Sequence, residues 1–344
     1  VLLTDAEEAL ADPDVDAVLI ATPVSTHYEL GMRSLKAGKH VFVEKPLAAD
    51  LAGALAMLTS AQQSGRPTII DFNFPELPSW RRAKEILVSG ALGRLRHVVV
   101  TWNVENQATR LRLKSWKTRA GEGGGGLLGN FVSHCFYYLE WFLGPIAGLG
   151  GRVFPLPDGD AESSIALAIA FASGVGGSLQ MSCASFLGSG HRLEFYGEDG
   201  TLILANPTAD YFRGFQLMQA GRADSSLQPV ATEDVSADRF TDSRVAPVAR
   251  LVQRFVDACE RGGSPLPGFA EGYRVQALVR DGTVKILTRN LHDAETYFPR
   301  LLTPPSWISA SEAIVDGEVV ALDDAGRPDF GLLQERLGQK GAPG

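Results

Sequence analysis

The 344-residue sequence contains no run of about 18 apolar residues, and no signal peptide is recognisable. It has only three cysteines, Cys135, Cys183 and Cys259, whose wide spacing fits neither a metal site nor a redox pair. These absences predict a cytoplasmic protein without a membrane segment or a bound metal. The cysteines are expected to be small buried residues in a reducing compartment.

The sequence also has no excess of basic over acidic residues. The 32 Lys and Arg residues are outnumbered by 40 Asp and Glu residues, which gives a formal net charge of -8. A general nucleic-acid-binding protein needs a basic face to displace phosphate counterions, so the composition argues against such a partner. The hydrophobic content of 45% and the charged content of 21% are typical of soluble domains. A chain of this length can form two domains with cores.

Residues 1–75 alternate between strand and helix patterns. Asp16–Thr22 is a short apolar run rich in β-branched residues, as in a strand buried on both faces. Further strands are predicted at residues 1–4, 40–43 and 68–70, and helices at residues 26–37 and 50–64. This rhythm predicts an α/β domain with a parallel, doubly wound sheet.

The alternation of strand and helix patterns ends after Pro75. A glycine-rich loop occupies residues 121–129, and strand patterns then follow one another with short turns. Helices are predicted at residues 80–88, 130–142 and 245–260, and strands at residues 95–104, 164–172, 177–184 and 191–196. Consecutive strands with short connections predict an α+β domain with an antiparallel sheet over residues 76–271.

Glu44-Lys45-Pro46 directly follows the predicted strand at residues 40–43. Ligands of parallel sheets bind outside the carboxyl ends of the strands, which is where this tripeptide is expected. A partly buried lysine there can exchange a proton with a substrate hydroxyl. Taken alone, a Lys-Pro pair is more often a turn with a solvated lysine.

Several motifs together resemble the glucose–fructose oxidoreductase, inositol dehydrogenase and rhizopine-catabolism (Gfo/Idh/MocA) family over residues 1–278. The motifs are Thr22-Pro23-Val24-Ser25-Thr26-His27, residues 38–46 ending in Glu44-Lys45-Pro46, Gly90–Gly93, Gly123–Gly126 and His134. The resemblance implies a dinucleotide-binding domain (residues 1–75), followed by an α+β domain with an open antiparallel sheet (residues 76–271). It also implies hydride transfer between NAD or NADP and a sugar, inositol or related polyol, and homo-oligomers that pair through the open sheet.

The same resemblance implies roles for individual residues. Thr22, Pro23 and His27 would lie beside the cofactor, and Glu44-Lys45-Pro46 beside the nicotinamide. Lys45 would contact the substrate oxygen, and His134 would accept the hydroxyl proton. Asn130, also expected at the substrate, stands where the family usually has Asp, and Tyr137 replaces a second Asp. Because an amide cannot hold charge, Asn130 is expected to weaken coupling to the histidine.

No Gly-x-Gly-x-x-Gly motif occurs near the start of the sequence. In the family this turn holds the cofactor pyrophosphate at a helix N-terminus. Residues 1–4 resemble the family's third strand, which implies a truncated domain with an exposed edge at Asp16–Thr22, a severe loss of NAD(P) affinity and a strong tendency to aggregate.

Residues 272–344 resemble a different family, the adenylation domain of ATP-dependent DNA ligases. The resemblance implies that Arg274, Arg289 and Glu318 contact nucleotide or metal, with ATP and magnesium as the expected ligands. Phe269 stands at the position of that family's nucleophilic lysine. A phenyl ring cannot form the phosphoramidate, so no ligation is expected. The fragment is expected to be short and mostly β.

Three hypotheses follow for the function of the chain. The first is a truncated oxidoreductase joined to a ligase fragment within Gly272–Leu278, a stretch that suits both families. The second is a ligase-like nucleic-acid enzyme with an accessory domain, against which the absent lysine and the acidic composition argue. The third is a non-catalytic binding or oligomerisation module.

Overall fold

The computed structural model describes residues 3–111, 126–155, 162–208, 210–232 and 239–280. Contacts divide the chain into two compact units, Val1–Arg280 and Asp281–Gly344. The ligase-like expectations for Arg289 and Glu318 lie outside the described residues.

The first unit begins with a small parallel sheet. Its strands are β1 (Ala17–Ile20), β2 (His40–Val43) and β3 (Thr68–Ile70), in the order β1-β2-β3. All four residues of β2 are buried, as expected of a central strand in a parallel sheet. The predicted parallel sheet is confirmed.

Helices connect these strands as the sequence predicts. They are α2 (His27–Lys36), between β1 and β2, and α3 (Leu51–Ser64), between β2 and β3, while α1 (Ala6–Ala11), which was not predicted, precedes β1. The carboxylate of Asp50 accepts a hydrogen bond from Gly53 N at 2.7 Å and caps α3. Gly65 ends α3 with a φ of 64°, a conformation that favours glycine.

The start of the chain departs from prediction. Of residues 1–4, expected as a strand, Val1 and Leu2 lie outside the described residues, and Leu3 and Thr4 are not in a strand. Within the described residues, β1 pairs only with β2 and forms one edge of the small sheet. Leu19 of β1 is 53% exposed. An exposed edge was expected at this strand.

A second, larger sheet has eight strands among the described residues. They are β4 (Leu95–Asn103), β5 (Ile146–Pro155), β6 (Glu162–Phe171), β7 (Gly176–Ser182), β8 (Gly190–Gly197), β9 (Gly200–Asn206), β10 (Gln216–Gly221) and β11 (Gln228–Val230). Their spatial order is β11-β10-β9-β8-β4-β7-β6-β5.

The prediction of a purely antiparallel sheet is wrong at one pair. β4 runs parallel to β7, while every other pair in this sheet is antiparallel. A parallel pair requires a long crossover, and the chain between β4 and β7 includes two α-helices, a π-helical turn and two further strands. Turn signals are local, so they could not reveal this non-local pairing.

The remaining helices pack between and beside the sheets. They are α4 (Pro78–Val88), α5 (Gln107–Arg110), α6 (Ser133–Leu143), α7 (Val245–Arg261) and α8 (Phe269–Arg280). The predicted helix at residues 130–142 begins instead as a π-helical turn, Leu128–Val132, that leads into α6. One continuous apolar core joins both sheets, and α7 covers Phe42 and Ile69 on the other face of the small sheet.

Helix α8 crosses the expected domain boundary at residue 272. Phe269 is 1% exposed, and the amide of Gln276 bonds both backbone groups of Ala48. A Cβ added at Gly272 would lie 2.9 Å from Ile70 Cδ1. The helix therefore packs closely on the dinucleotide-binding-type domain, and the compact unit continues to Arg280.

Arg274, expected as a nucleotide contact of a ligase-like site, lies inside this packing. Its guanidinium donates to Glu140 Oε1 at 2.9 and 3.0 Å and to the carbonyl oxygen of Ile146. Glu140 Oε1 also accepts from Ile146 N at 2.8 Å. These contacts fasten α8 to the end of α6 and the start of β5.

The burial of Phe269 predicts a large stability effect. We expect Phe269→Ala to lower the free energy of unfolding by about 3–5 kcal/mol, because it removes a fully packed ring and leaves a cavity. Urea denaturation followed by circular dichroism measures the change. Phe186→Ala is the matched control, since that ring is 75% exposed and its loss should change stability by less than about 0.5 kcal/mol. Equal effects of the two substitutions would contradict the placement of α8.

Candidate active site

Three chain segments meet at the carboxyl edge of the small sheet. Thr22 and Pro23 follow β1, Glu44-Lys45-Pro46 follows β2, and Asp71 follows β3. The register pairs Ile20 with Val43 and Val43 with Ile70, so the three segments begin at the same level. This edge is where parallel sheets bind ligands.

His27 connects the first two of these segments. Its ring nitrogens lie 2.9 Å from the carbonyl oxygens of Thr22 and Pro46, and its side chain is buried. Thr22 Oγ1 and Thr26 Oγ1 are 2.6 Å apart, and Thr26 Oγ1 also donates to the Pro23 carbonyl oxygen. His27, which was expected beside the cofactor, therefore links the segment after β1 to the segment after β2 through its two ring nitrogens.

Lys45 reaches from this edge to the helical segment that carries His134. Its Nζ donates to the carbonyl oxygen of Asn130 at 2.9 Å and to that of Gly129 at 3.4 Å. Both carbonyls belong to the π-helical turn, and Gly129 O also accepts from Ser133 Oγ at 2.8 Å. π-Helical turns occur frequently at functional sites.

Asn130 takes part in the site through its backbone. Its side-chain Nδ2 donates to the carbonyl oxygen of Gly126 at 3.0 Å, while its own carbonyl oxygen accepts from Lys45. The amide side chain therefore braces the π-helical turn, and the backbone carbonyl provides the contact to the lysine.

His134 lies one turn further along, against two aromatic rings. Phe72 and Phe74 meet its imidazole edge-to-face, with centroid distances of 5.7 and 5.3 Å. Burial, the nearby Lys45 ammonium and His191 together hold the pKa of His134 well below its usual value. The neutral imidazole that results can accept a proton. Its Nδ1 is buried and has no hydrogen-bond partner among the described residues.

The sequence analysis missed two buried acids, Asp71 and Glu76. Asp71 is 4% exposed, and burial together with the neighbouring Glu44 raises the pKa of its carboxyl group well above the usual value. Glu76 is also buried and forms ion pairs with Arg81 and Arg254. The signal for Asp71 was an acidic residue directly after a buried strand.

Tyr137, the other departure from the family pattern, belongs to the aromatic packing. Its ring stacks on Phe72 at 4.7 Å, and burial raises the pKa of its phenol. Behind it, the hydroxyl group of Tyr138 lies 3.0 Å from His191 Nε2, and His191 stacks on Trp102 at 4.1 Å. Burial lowers the pKa of His191 to about 3. This aromatic cluster packs against Phe74, one of the two rings that contact His134.

Comparisons with known proteins agree with this architecture. A model for an oxidoreductase family with an NAD-binding Rossmann fold matches residues 2–72, and a Gfo/Idh/MocA C-terminal domain model matches residues 80–203. An uncharacterised oxidoreductase of Synechocystis is 34% identical over 289 residues, covering 79% of this chain and 77% of the relative. The chain belongs to the Gfo/Idh/MocA oxidoreductase family.

Other relatives of this family member have known activities. Levoglucosan dehydrogenase of Pseudarthrobacter phenanthrenivorans is 24% identical, over 82% of this chain and 80% of the relative. Inositol 2-dehydrogenase of Rhizobium meliloti is also 24% identical, over 80% and 78% of the two chains. A solved levoglucosan dehydrogenase, in complex with NADH and levoglucosan, has the same fold with a TM-score of 0.70 at 24% identity, covering 80% of this chain and 79% of that one.

The described residues fit one end of a nicotinamide cofactor. The polar groups near this end are the Thr22 hydroxyl and the Lys45 ammonium at the sheet edge and the imidazole of His134 on α6, whose buried Nδ1 has no partner among the described residues. Among the described residues, no strand of the small sheet is followed by a glycine-rich phosphate turn. In the same part of the chain, no three His, Cys, Asp or Glu side chains group as a metal site. No described helix is long and apolar enough to cross a bilayer.

The lowered pKa of His134 predicts a neutral imidazole over a wide pH range. In nitrogen-edited NMR spectra of the folded protein, we expect the protonation midpoint of His134 to lie well below that of the unfolded protein. In urea-unfolded protein it should titrate near pH 6.5. Since the folded state resists protonation, this histidine should destabilise the fold increasingly as the pH falls below about 6.5. A folded-state midpoint at or above 6.5 would contradict the geometry.

Proposed function

We propose that this protein is an NAD-dependent oxidoreductase that oxidises a secondary hydroxyl group of a sugar, inositol or related polyol. The single observation that carries the proposal is the reach of Lys45 from the sheet edge to the π-helical turn. This contact brings an ammonium group close to a neutral imidazole, so that one substrate oxygen can meet both.

The cofactor would lie along the carboxyl edge of the small sheet. Thr22 and Pro23 would hold one side of the nicotinamide end, and Glu44-Lys45-Pro46 the other. When bound, NAD supplies the acceptor for the hydride that leaves the substrate carbon. Support comes from membership of a family whose N-terminal model is an NAD-binding Rossmann fold, and NAD is proposed here rather than NADP.

His134 and Lys45 would have separate roles at the substrate oxygen. His134, held neutral by its surroundings, accepts the proton of the substrate hydroxyl as hydride leaves the carbon. Lys45 donates a hydrogen bond to the same oxygen and stabilises the negative charge that develops on it. Both groups lie in a partly desolvated site, where such charge stabilisation is stronger than in water.

The aspartate that the family usually places at position 130 is not needed to orient Lys45 here. Asn130 holds the lysine through its backbone carbonyl, and its side chain braces the π-helical turn. Coupling between His134 and an acidic side chain at this position is excluded, since an amide carries no charge. His134 would thus pass its proton onward to solvent.

A sugar or polyol substrate is consistent with the named relatives, which include levoglucosan dehydrogenase and inositol 2-dehydrogenase. The ligase-like alternative receives no support from the described residues. Phe269 is buried in the oxidoreductase core, and Arg274 is ion-paired with Glu140.

The proposal predicts a strong effect of Lys45→Met. We expect NAD reduction with a responsive polyol to fall by about 10²–10⁴-fold in kcat, because charge stabilisation on the substrate oxygen is lost. Initial rates of NADH absorbance, over a panel of inositols, anhydrosugars and aldoses, measure the effect. Lys36→Met is the matched control, since Lys36 is exposed near the end of α2, and it should retain full activity.

Two results would overturn the proposed function. One is the absence of NAD reduction across the panel by a protein that binds NADH in a fluorescence titration. The other is equal activity of the Lys45→Met and Lys36→Met variants.

We also propose that copies of this chain pair through the outer face of the larger sheet. Ala166 and Ala168 of β6 are exposed there, and such small side chains permit close approach of two sheets. Ala166→Arg is expected to convert an oligomer to monomer in light scattering coupled to size-exclusion chromatography. An unchanged mass for Ala166→Arg would contradict pairing through this face.

A further inference from the structure

Glu162 has a buried carboxyl oxygen that the site described above does not use. The residue is the first of β6, at the end of the larger sheet. Its side-chain Oε2 is buried and has no hydrogen-bond partner among the described residues. Buried polar atoms of this kind are uncommon in native structures, because an unpaired one costs free energy on folding. A hydrogen-bond donor on a bound molecule would satisfy this oxygen.

The carboxyl group of Glu162 lies against the backbone of Gly126. A Cβ added at Gly126 would overlap Glu162 Oε2 and would lie 3.0 Å from Glu162 Cδ. Gly126 also has a φ of 74°, a conformation that favours glycine. Glycine meets both demands at this position. The acid is therefore held close to the start of the helical segment that carries Asn130 and His134.

This helical segment connects Glu162 to the groups proposed to act on the substrate. The carbonyl oxygen of Gly126 accepts from Asn130 Nδ2 at 3.0 Å, and the Asn130 carbonyl oxygen accepts from Lys45 Nζ at 2.9 Å. Gly126 and His134 are roughly 12 Å apart along the axis at the rise of an α-helix. Glu162 is thus too far from the reacting oxygen to take its proton, and it can contact a different part of the same substrate.

Aromatic rings line the region between these two ends. Tyr211 meets Phe131 of the π-helical turn and Trp102 of β4 edge-to-face, with centroid distances of 5.7 and 5.9 Å. Burial and, to a smaller extent, the neighbouring Cys183 raise the pKa of the Tyr211 phenol. Burial and, to a smaller extent, Glu162 raise the pKa of the Cys183 thiol. Aromatic walls with a few well-placed polar groups are typical of small-molecule sites.

The chemistry of a carboxylate restricts what it can bind here. An ionised carboxylate accepts hydrogen bonds and donates none, so its partner must carry an N–H or an O–H group. A polyol offers several hydroxyl groups, of which the proposed reaction uses one. A second hydroxyl group of the same molecule can therefore donate to the unpaired oxygen of Glu162.

We propose that Glu162 is a specificity-determining residue: its carboxylate accepts a hydrogen bond from a hydroxyl group of the polyol other than the one that is oxidised. The role rests on the proposed function, because Lys45 and His134 fix the reacting hydroxyl group. It narrows the substrate class to polyols that carry a further hydroxyl group remote from the reacting carbon. Binding to such a remote group holds the substrate in register with the catalytic groups.

A purely structural role for Glu162 makes the opposite prediction for stability. A negative charge near a helix N-terminus stabilises the helix, so its removal would lower the stability of the ligand-free protein. A carboxylate kept for a ligand is instead a cost when no ligand is bound, because burying a charge costs more than burying a neutral amide. The sign of the stability change therefore separates the two roles.

The first measurement is made without ligand. Urea midpoints are compared for wild type, Glu162→Gln and Glu162→Met, with Glu85→Gln as the matched control. Glu85 is exposed on α4 and pairs with Arg82. We expect Glu162→Gln to keep or raise the midpoint, and Glu85→Gln to leave it unchanged. A midpoint for Glu162→Gln well below those of wild type and Glu85→Gln would overturn the proposal in favour of a structural acid.

The second measurement uses the polyol of the panel that reduces NAD fastest and its monodeoxy analogues, each of which lacks one hydroxyl group. For wild type, one analogue should lose about 10–100-fold in kcat/KM although its reacting hydroxyl is intact, because a hydrogen bond to a charged group is lost. Glu162→Met should raise KM for the parent polyol by a similar factor and change kcat by less than about threefold. Glu85→Met should behave as wild type.

The decisive comparison is the preference of each protein for the parent polyol over that analogue. Glu162→Met should reduce this preference to near unity, and Glu162→Gln, whose amide oxygen still accepts a hydrogen bond, should retain part of it. The proposal fails if Glu162→Met keeps the wild-type preference at every hydroxyl position. It also fails if wild type prefers an amino-substituted polyol to its hydroxyl parent, since the carboxylate would then recognise a cation.

These results separate the role of Glu162 from the proposed function. Unchanged kinetics of Glu162→Met beside a strong effect of Lys45→Met would reject the role and keep the oxidoreductase activity. If no NAD is reduced, calorimetric titration with the same polyols takes the place of the kinetics. Binding by wild type that Glu162→Met loses would then keep the role and reject the activity, and absence of both turnover and binding would overturn both.

Discussion

The contact between Lys45 and the π-helical turn is the interaction on which the site depends. Residues 84 and 85 positions apart in the chain meet there, Nζ on one side and the carbonyls of Gly129 and Asn130 on the other. The small sheet provides the lysine, because β2 ends directly before it. The helical segment provides the acceptors, because a π-helical turn leaves carbonyl oxygens accessible. Neither element alone brings Lys45 and His134 together.

Local sequence pattern was sufficient for most elements around the site, although the strand predicted at residues 1–4 is absent at Leu3 and Thr4. Short apolar runs predicted β1–β3, Asp50 and Gly65 marked the ends of α3, and position after a buried strand singled out Lys45. The parallel pairing of β4 with β7 was missed because it joins strands far apart in the chain. Asp71 was missed for a different reason. A single acid after a strand is unremarkable until the fold buries it beside Glu44.

The stretch from Gly272 to Leu278 shows where motif reasoning ends and packing begins. Its residues fit the motifs of two unrelated families, so the sequence alone permitted a domain boundary at residue 272. The packing of α8 is more specific, because Gly272 lies where a side chain would press on Ile70 and Leu47, and Gln276 satisfies both backbone groups of Ala48. Both the close approach at Gly272 and the hydrogen bonds of Gln276 involve residues of the oxidoreductase core. For residues 272–280, they assign the helix to that core.

Burial shifts the protonation equilibria of the ionisable groups in the site towards their neutral forms. Desolvation favours the neutral form of every group, so His134 loses its proton readily and Asp71 keeps its own. Lys45 differs in that its ammonium is held by backbone carbonyls and lies beside the acids. A neutral base next to a cation is the combination that removes a hydroxyl proton while stabilising the oxygen left behind. The fold obtains this combination largely through differences in solvation.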